Sequence, residues 1–485
     1  MSLTASDEYH DLAPTGVDRA TLEADAAALL PLLDSSPGIH IYTPSAPIFP
    51  TVQKVLNQLT DDIKCLAIVR PNTEAEIRDT LRLCSSLNIK VTIRSGGNDV
   101  GERSIIHGGV VIDMRSMDFM TLSADRSSVS VGGGITHGKI LTFLDKNELD
   151  TPVGWGHQVG YVAWACGGGY GVECGSRGIG SDQILGGRVV TANGDVLEVE
   201  DGKGDEDVWW ALRGGGAGIV GVVSELTVKV YPKLRVMGGY VMFPFAEVEQ
   251  VFDRMQKLYE KDFPDHFAGE VYLIDPMNNG GLVNQFFWWE LGDDEATNAE
   301  AAEKYLVKVK EFGTVVSCTV AETTPYKFLY SIENPVLDVR QAFFNASAIV
   351  PSFSRELGAV FAKHPLPSIT SAVVLHNCHG VGARRDPKAA FGPRQPHVLA
   401  GIVASCEWED EASKTKIKGW PQLVYDDITE NRLDMGWKYS NFNPPEPGDG
   451  RMYLGEDGAC RMRSVRERLD PKGLFARCTP DLGSA

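Results

Sequence analysis

Three glycine-rich stretches are the residues most able to do chemistry: Ile93–Ser104 (IRSGGNDVGERS), Cys166–Gly171 (CGGGYG) and Leu212–Gly221 (LRGGGAGIVG). Neighbouring glycines accept positive φ and let backbone approach a ligand, and successive backbone N–H groups then form an anion-binding nest. Tight turns at strand ends account for any one such cluster equally well. Three of them in one region favour a phosphate-bearing ligand. The run Gly216-Ala-Gly-Ile-Val-Gly221 has the G-x-G-x-x-G spacing of dinucleotide sites, but it leads into VVSELTVKV. That is a strand pattern, where the dinucleotide motif must open a helix, so a Rossmann site is rejected.

Other catalytic signatures are missing: there is no H-E-x-x-H, no P-loop and no G-x-S-x-G elbow. His376 and His379, in LHNCHG, alternate faces of an expected strand and lack metal-ligand spacing. A lone histidine is more often a hydrogen-bonded structural residue, yet imidazole titrates near neutrality, so both are candidate acid–base groups. The nine cysteines include no C-x-x-C pair. That suits reduced thiols in a cytosolic protein better than a disulfide framework or a zinc site, and no metal is expected.

The elements that must carry these groups follow from texture. LEADAAALLPLL near the start reads as helix. From Leu66 to about Tyr231, short β-branched runs (VTIRSGG, GGVVIDMRSM, SVSVGGG) alternate with glycine, and NTEAEIRDTLRLCSSLN is a helix ending at Asn88. RVVTANGDVLEV reads as a hairpin with an Asn-Gly turn. From Leu234 to about Arg432 glycine thins out; EVYLID and NQFFWWE read as strands, AEVEQVFDRMQKLYEKD and NAEAAEKYLVKVKEF as surface helices. The rings of NQFFWWE serve either core packing or the wall of a substrate pocket.

At 485 residues the chain exceeds the size of one ordinary core, so two domains are expected. A 43% hydrophobic and 23% charged composition is that of a globular protein. A formal net charge of −19 argues against nucleic acid and against anionic membrane surfaces. MSLTASDEYHDLAPTG has no basic start and no apolar run, and no stretch is long and apolar enough to span a bilayer. A cytoplasmic protein is therefore expected, and the sequon Asn345-Ala346-Ser347 carries no weight without a secretory route.

Taken together, VRPNTEAEIRDTLRLCSSLNIKVTIRSGGN, VVIDMRSM, SVSVGGGITHGKILTFLDKNELDTPVGWGHQVG, CGGGYG, SDQILGGRVVTANGDVLEV, DEDVWWALRGGGAGIVGVVSELTV, WKYSNF and RERLDPKGLF resemble, in order and spacing, the vanillyl-alcohol-oxidase (PCMH-type FAD-binding) superfamily. The nearer likeness is to its berberine-bridge-enzyme-like branch, which includes 6-hydroxy-D-nicotine oxidase. The resemblance implies an α+β, two-domain fold: residues 1–232 as FAD-binding domain (core about 62–232), 233–432 as a substrate domain on an antiparallel sheet flanked by helices, and 433–485 returning to the FAD domain. It implies FAD, with Arg94, Ser95, Gly96, Gly97, Asn98, Asp99 and Ser104 on the pyrophosphate side. Gly156, His157, Val159, Gly160, Gly167, Gly168, Gly169, Asp182, Val222, Asn441 and Asp457 would line the rest, while Arg213 would be structural.

The departures from that pattern carry as much information. Asn98 stands where members place a flavin-anchoring histidine, and Gly156 where many place a second, cysteinyl anchor, so the resemblance implies a non-covalent FAD of lowered potential. The family's Y-x-N-Y motif reads Tyr439-Ser-Asn441-Phe442, with Phe442 in place of a catalytic tyrosine. His376, His379 and Tyr439 are then the available bases. Asp457 replaces an asparagine, Ile219-Val220 replace Asn-Phe, and Val159 is small enough to admit O2 to the flavin. The implied activity is oxidation of a mid-sized organic substrate of specialised metabolism by hydride transfer, with O2 as acceptor. The alternatives are a non-redox isomerase, dehydratase or cyclase with structural FAD, and a degenerate flavin-binding protein.

Overall fold

Thr73 begins the helix that organises the first layer. Its hydroxyl accepts the Glu76 N–H while the Glu76 carboxylate accepts the Thr73 N–H, a closed capping box. The helix runs Glu74–Leu87 and stops at Asn88, whose φ of 55° is left-handed. It crosses from strand Ala67–Arg70 to strand Val91–Arg94, and both pair in parallel with Val110–Asp113. His40–Tyr42 adds an antiparallel edge. The IRSGGN loop therefore leaves the C-terminal end of a parallel strand. The computed structural model describes residues 19–482 except 217, 332–338, 409, 445, 447, 449 and 478–480. The segment read for a leader lies outside them.

A second, five-stranded sheet is antiparallel throughout, ordered Met120–Leu122, Ser128–Gly132, Val222–Lys229, Ile184–Val190, Val196–Glu200. Its last pair is the hairpin read from TANGDV, with Gly194 at φ 74°. The G-x-G-x-x-G run follows helix Glu206–Leu212 and enters strand Val222–Lys229, so no helix N-terminus meets those glycines.

A nine-stranded antiparallel sheet spans Val236 to Cys406, with Val236–Pro244, Leu282–Glu290, Val271–Ile274, Ala372–Cys378, His397–Cys406 and Ala342–Val350 as its long path. Register and period-2 alternation sort its side chains onto two faces. On one, Phe287, Trp289, Val271, Leu273, Val373, Leu375, Ala400 and Ile402 are buried under the helices Val248–Tyr259, Ala299–Lys310, Arg355–Lys363 and Trp420–Glu430. The other presents Phe286, Trp288, Tyr272, Val374, His376 and Val403 towards the glycine loops. The rings of NQFFWWE thus divide between two cores. Near the C-terminus, helix Gly450–Leu469 breaks at Gly455 (φ 70°), and Phe475 then bridges to Val91 beside the first glycine loop. The architecture is the expected α+β one with antiparallel sheets. No helix among the described residues is long and apolar enough to cross a membrane.

Candidate active site

One cavity runs from the first glycine loop to the face of the large sheet. Ser95, Gly96, Gly97, Asn98, Asp99, Arg103 and Ser104 line one end; Trp155, Tyr170, Tyr272, Val374, His376, Val403, Tyr439 and Phe442 line the other. It holds about 1670 Å³ of space between atoms, part of it open to solvent.

Backbone contact builds the loop end. A Cβ on Gly96 would come within 2.4 Å of Gln158 O, and one on Gly160 within 2.4 Å of Ser95 Oγ. Ser95 Oγ donates to Gly133 O (2.7 Å). Asp99 does not aim at a ligand phosphate: its oxygens accept the Gly101 N–H (3.0 Å), the Arg103 N–H and the Arg103 guanidinium. Burial alone would raise that carboxyl, but the Arg103 charge and the hydrogen bonds outweigh it and hold the group below its ordinary range. Arg103 also donates to the carbonyls of Ser440 and Asn441, tying the loop to the Y-S-N-F segment.

Several expected cofactor residues sit elsewhere. Arg94 points into the core, 2.9 Å from Asp113, a carboxylate that also holds Arg70 and Arg115. Burial pulls the Arg94 guanidinium down to about 10. Burial would raise Asp113, but the three guanidiniums hold it well below the usual range. Side-chain alternation explains Arg94, whose neighbour Ser95 faces the cavity instead. The same alternation turns Val222 into the core and puts Val223 in the cavity wall with Gly218 and Gly221. Asp182 is taken by Arg394 (2.9 and 2.7 Å) and by the Ile179 N–H. Gly167, Gly168 and Gly169 lie behind the wall: a Cβ on Gly167 would strike the Asn441 amide at 2.6 Å, one on Gly168 would strike the Phe391 ring, and the Gly169 N–H donates to Tyr439 Oη (3.3 Å). Asp457 is exposed on the last helix. Gly156 and His157 are half-buried and outside the lining. Val159 and Gly160 do line it.

Among the candidate bases, His376 lines the cavity and His379 does not. His379 follows the end of strand Ala372–Cys378, stacks on Phe263 at 3.9 Å and lies 3.4 Å from Pro264 O. Three residues apart on an extended chain means opposite faces, which separates the pair. His376 Nδ1 lies 3.0 Å from Glu270 Oε2, and the same oxygen accepts the Trp155 indole N–H. Tyr439 Oη accepts from Asn441 Nδ2 (3.0 Å) as well as from Gly169, and burial pushes the phenol up to about 12. Tyr170 Oη is 2.6 Å from His397 Nε2, whose Nδ1 is 2.7 Å from Gln395 O; burial lowers His397 to about 4. With Nδ1–H donating to that carbonyl, Nε2 is the acceptor and Tyr170 the donor.

Tyr170 was within reach of sequence reasoning, since it sits in CGGGYG. Glu270, Trp155, Tyr272 and Val403 carried no local signal.

FAD fits these residues on observations made within the chain. Among the described residues, both amide atoms of Asn98 are buried without a hydrogen-bond partner at the cavity wall, which calls for a polar ligand there. The loop beside it is a cradle that a single Cβ would fill.

Comparison with known proteins agrees with that fit. The sequence profile for an FAD binding domain matches residues 65–200. The chain is 32% identical over 481 residues to FAD-linked oxidoreductase aurO of Gibberella zeae, covering 98% of this chain and 92% of that one. It is 29% identical over 423 residues to (R)-6-hydroxynicotine oxidase of Paenarthrobacter nicotinovorans, covering 84% and 89%. Its fold superposes on 6-hydroxy-D-nicotine oxidase of Arthrobacter nicotinovorans with a TM-score of 0.78 (19% identity, 90% of this chain and 96% of that one). On berberine bridge enzyme of Eschscholzia californica the TM-score is 0.79 (17%, 94% and 99%). The relatives are oxidoreductases and oxidases, so the isomerase alternative gains no support. The chain belongs to the FAD-linked oxidoreductases of the vanillyl-alcohol-oxidase (PCMH-type FAD-binding) superfamily, among its berberine-bridge-enzyme-like and 6-hydroxynicotine-oxidase-like members.

Proposed function

We propose that this protein is an oxidase that holds FAD without a covalent bond and dehydrogenates a mid-sized, ring-bearing organic substrate. The observation that carries this reading is the single cavity joining the Ser95–Asp99 loop to His376. When bound, FAD would supply a two-electron hydride acceptor that O2 can reoxidise, with H2O2 as the product. Ser95, Gly96 and Gly97 would hold its phosphate-side portion through backbone N–H groups, with the Asn98 amide beside them. His376 takes the proton that leaves the substrate oxygen or nitrogen as the C=O or C=N bond forms. Tyr439, which accepts two hydrogen bonds, keeps its own O–H to donate towards the cavity. Trp155, Tyr272, Val374, Val403 and Phe442 exclude water and favour a flat apolar substrate. Small Val159 in the wall leaves a path for O2.

Two features support the non-covalent mode. Asn98 offers a carboxamide where an anchoring imidazole would be needed. Gly156 has φ 108°, a conformation that a cysteine adopts only under strain, and it lies outside the lining.

The test uses the purified holoenzyme. Acid should release the yellow colour into the supernatant, and colour retained in the pellet defeats the non-covalent claim. Anaerobic substrate should bleach the flavin, with recovery in air and one H2O2 per turnover; turnover without bleaching defeats the oxidase reading. His376→Gln should slow bleaching by about 10²–10⁴-fold.

A further inference from the structure

Glu270 is a fully buried carboxylate for which that scheme has no role. It immediately precedes strand Val271–Ile274, and pairing of Val271 with Leu375 places it directly across from His376 on the neighbouring antiparallel strand. Cross-strand partners share a face, so both stand on the side towards the glycine loops. The Trp155 indole N–H donates to Oε2, and His376 Nδ1 lies 3.0 Å from that same atom. The distance suits a hydrogen bond, yet Nδ1 makes none, so the ring N–H is not aimed along the contact. Catalytic hydrogen bonds are often misaligned before substrate binds and tighten afterwards. Among the described residues, Glu270 Oε1 has no hydrogen-bond partner. A buried carboxylate with a single donor is costly unless a cation completes it, and His376 is its only ion-pairing partner found among the described residues.

The geometry points to Glu270 as the positioning carboxylate of His376, with Trp155 as the latch that holds Glu270 from the opposite wall. This rests on His376 being the proton acceptor. Glu270 keeps the Nδ1 proton on its own side, so Nε2 faces the cavity as a lone pair. The proton leaving the substrate forms one N–H bond at Nε2, and the imidazolium so made completes the buried ion pair. On the substrate the O–H or N–H bond breaks and its electron pair enters the new C=O or C=N bond as the C–H hydride leaves; no other bond of the protein changes. The remaining titratable groups facing the ring are Tyr170 (centroids 6.1 Å apart), Tyr272 (6.3 Å) and, farther along the same strand face, Cys378. Burial pushes both phenols far up, and the Cys174 contact with burial does the same for the Cys378 thiol, so all three stay neutral.

The experiment is nitrogen NMR on holoenzyme with labelled histidine, the His376 signal being assigned by its loss in His376→Gln. Wild type should show the Nδ1–H tautomer, and Glu270→Leu should lose it. Glu270→Gln keeps the volume and an acceptor oxygen but not the charge; there the tautomer should persist while anaerobic bleaching slows about tenfold or more. Trp155→Phe should weaken the tautomer preference without abolishing it. An unchanged tautomer in Glu270→Leu, or, should that variant not fold, an unchanged bleaching rate in Glu270→Gln, overturns the proposal. The base reading fails separately: His376→Gln that still bleaches at the wild-type rate defeats it while leaving the measured pairing intact.

Discussion

Gly96 and Gly160 press together so closely that a methyl on either would come within 2.7 Å of the other's backbone nitrogen. Neither obstacle is the movable end of a side chain, so the loops must part to admit one. Gly96→Ala should therefore destabilise the fold by about 1–3 kcal/mol and, by widening the cradle, release FAD. Calorimetry and the flavin-to-protein absorbance ratio check this. A variant of wild-type flavin content would show that the close approach is not what shapes the cradle.

Asn98 should matter to affinity rather than to folding. Its amide atoms find no partner among the described residues, so Asn98→Ala removes no hydrogen bond seen there. Loss of a net hydrogen bond to the cofactor, about 0.5–1.5 kcal/mol, predicts up to about tenfold weaker FAD binding by fluorescence titration with little change in Tm of the apoprotein. Asn98→His is the substitution that can restore an anchor, whereas Gly156→Cys should misfold locally because of its positive φ.

Asp113 pairs with Arg70, Arg94 and Arg115, all nearly or fully buried. Asp113→Asn removes the carboxylate that these three buried guanidiniums share and should cost about 3–5 kcal/mol in chemical denaturation. Because the folded carboxyl is held below its unfolded value, its stabilisation is present at neutral pH and is lost as pH falls through the acid range.

A second cluster has the opposite pH sense. Glu290 bonds Ser176 through its carboxylate, and Arg177 is shared by Asp150 (3.5 Å) and Glu173 (2.6 Å). Burial, then the nearby Glu173 charge, raises Glu290 to about 7. A raised carboxyl contributes stability below its unfolded value that disappears as pH climbs through the folded one. The melting temperature should thus fall between about pH 5 and 8, and Glu290→Gln, a mimic of the protonated acid, should flatten that slope. An identical slope in the variant would assign the pH dependence to other groups.

Short-range signals were legible because their cause is local. The capping box at Thr73, the left-handed Asn88, the Asn-Gly turn and the glycine loop are written in residues a few positions apart, where φ preferences and side-chain caps act. From these and their order came the cofactor, the fold class and the loop that faces it. The amino acids at Asn98, Gly156 and Phe442 likewise set the expectation of a non-covalent flavin and of a base other than a tyrosine at that place.

Strand register decided the rest. A one-residue offset moves a side chain to the other face of a sheet. That offset put Ser95 and Val223 in the cavity, Arg94 and Val222 in the core, and split His376 from His379. Glu270 and His376 are more than a hundred positions apart and meet only because Val271 pairs with Leu375. No periodicity encodes such a pairing, since it is set by packing across the whole nine-stranded sheet.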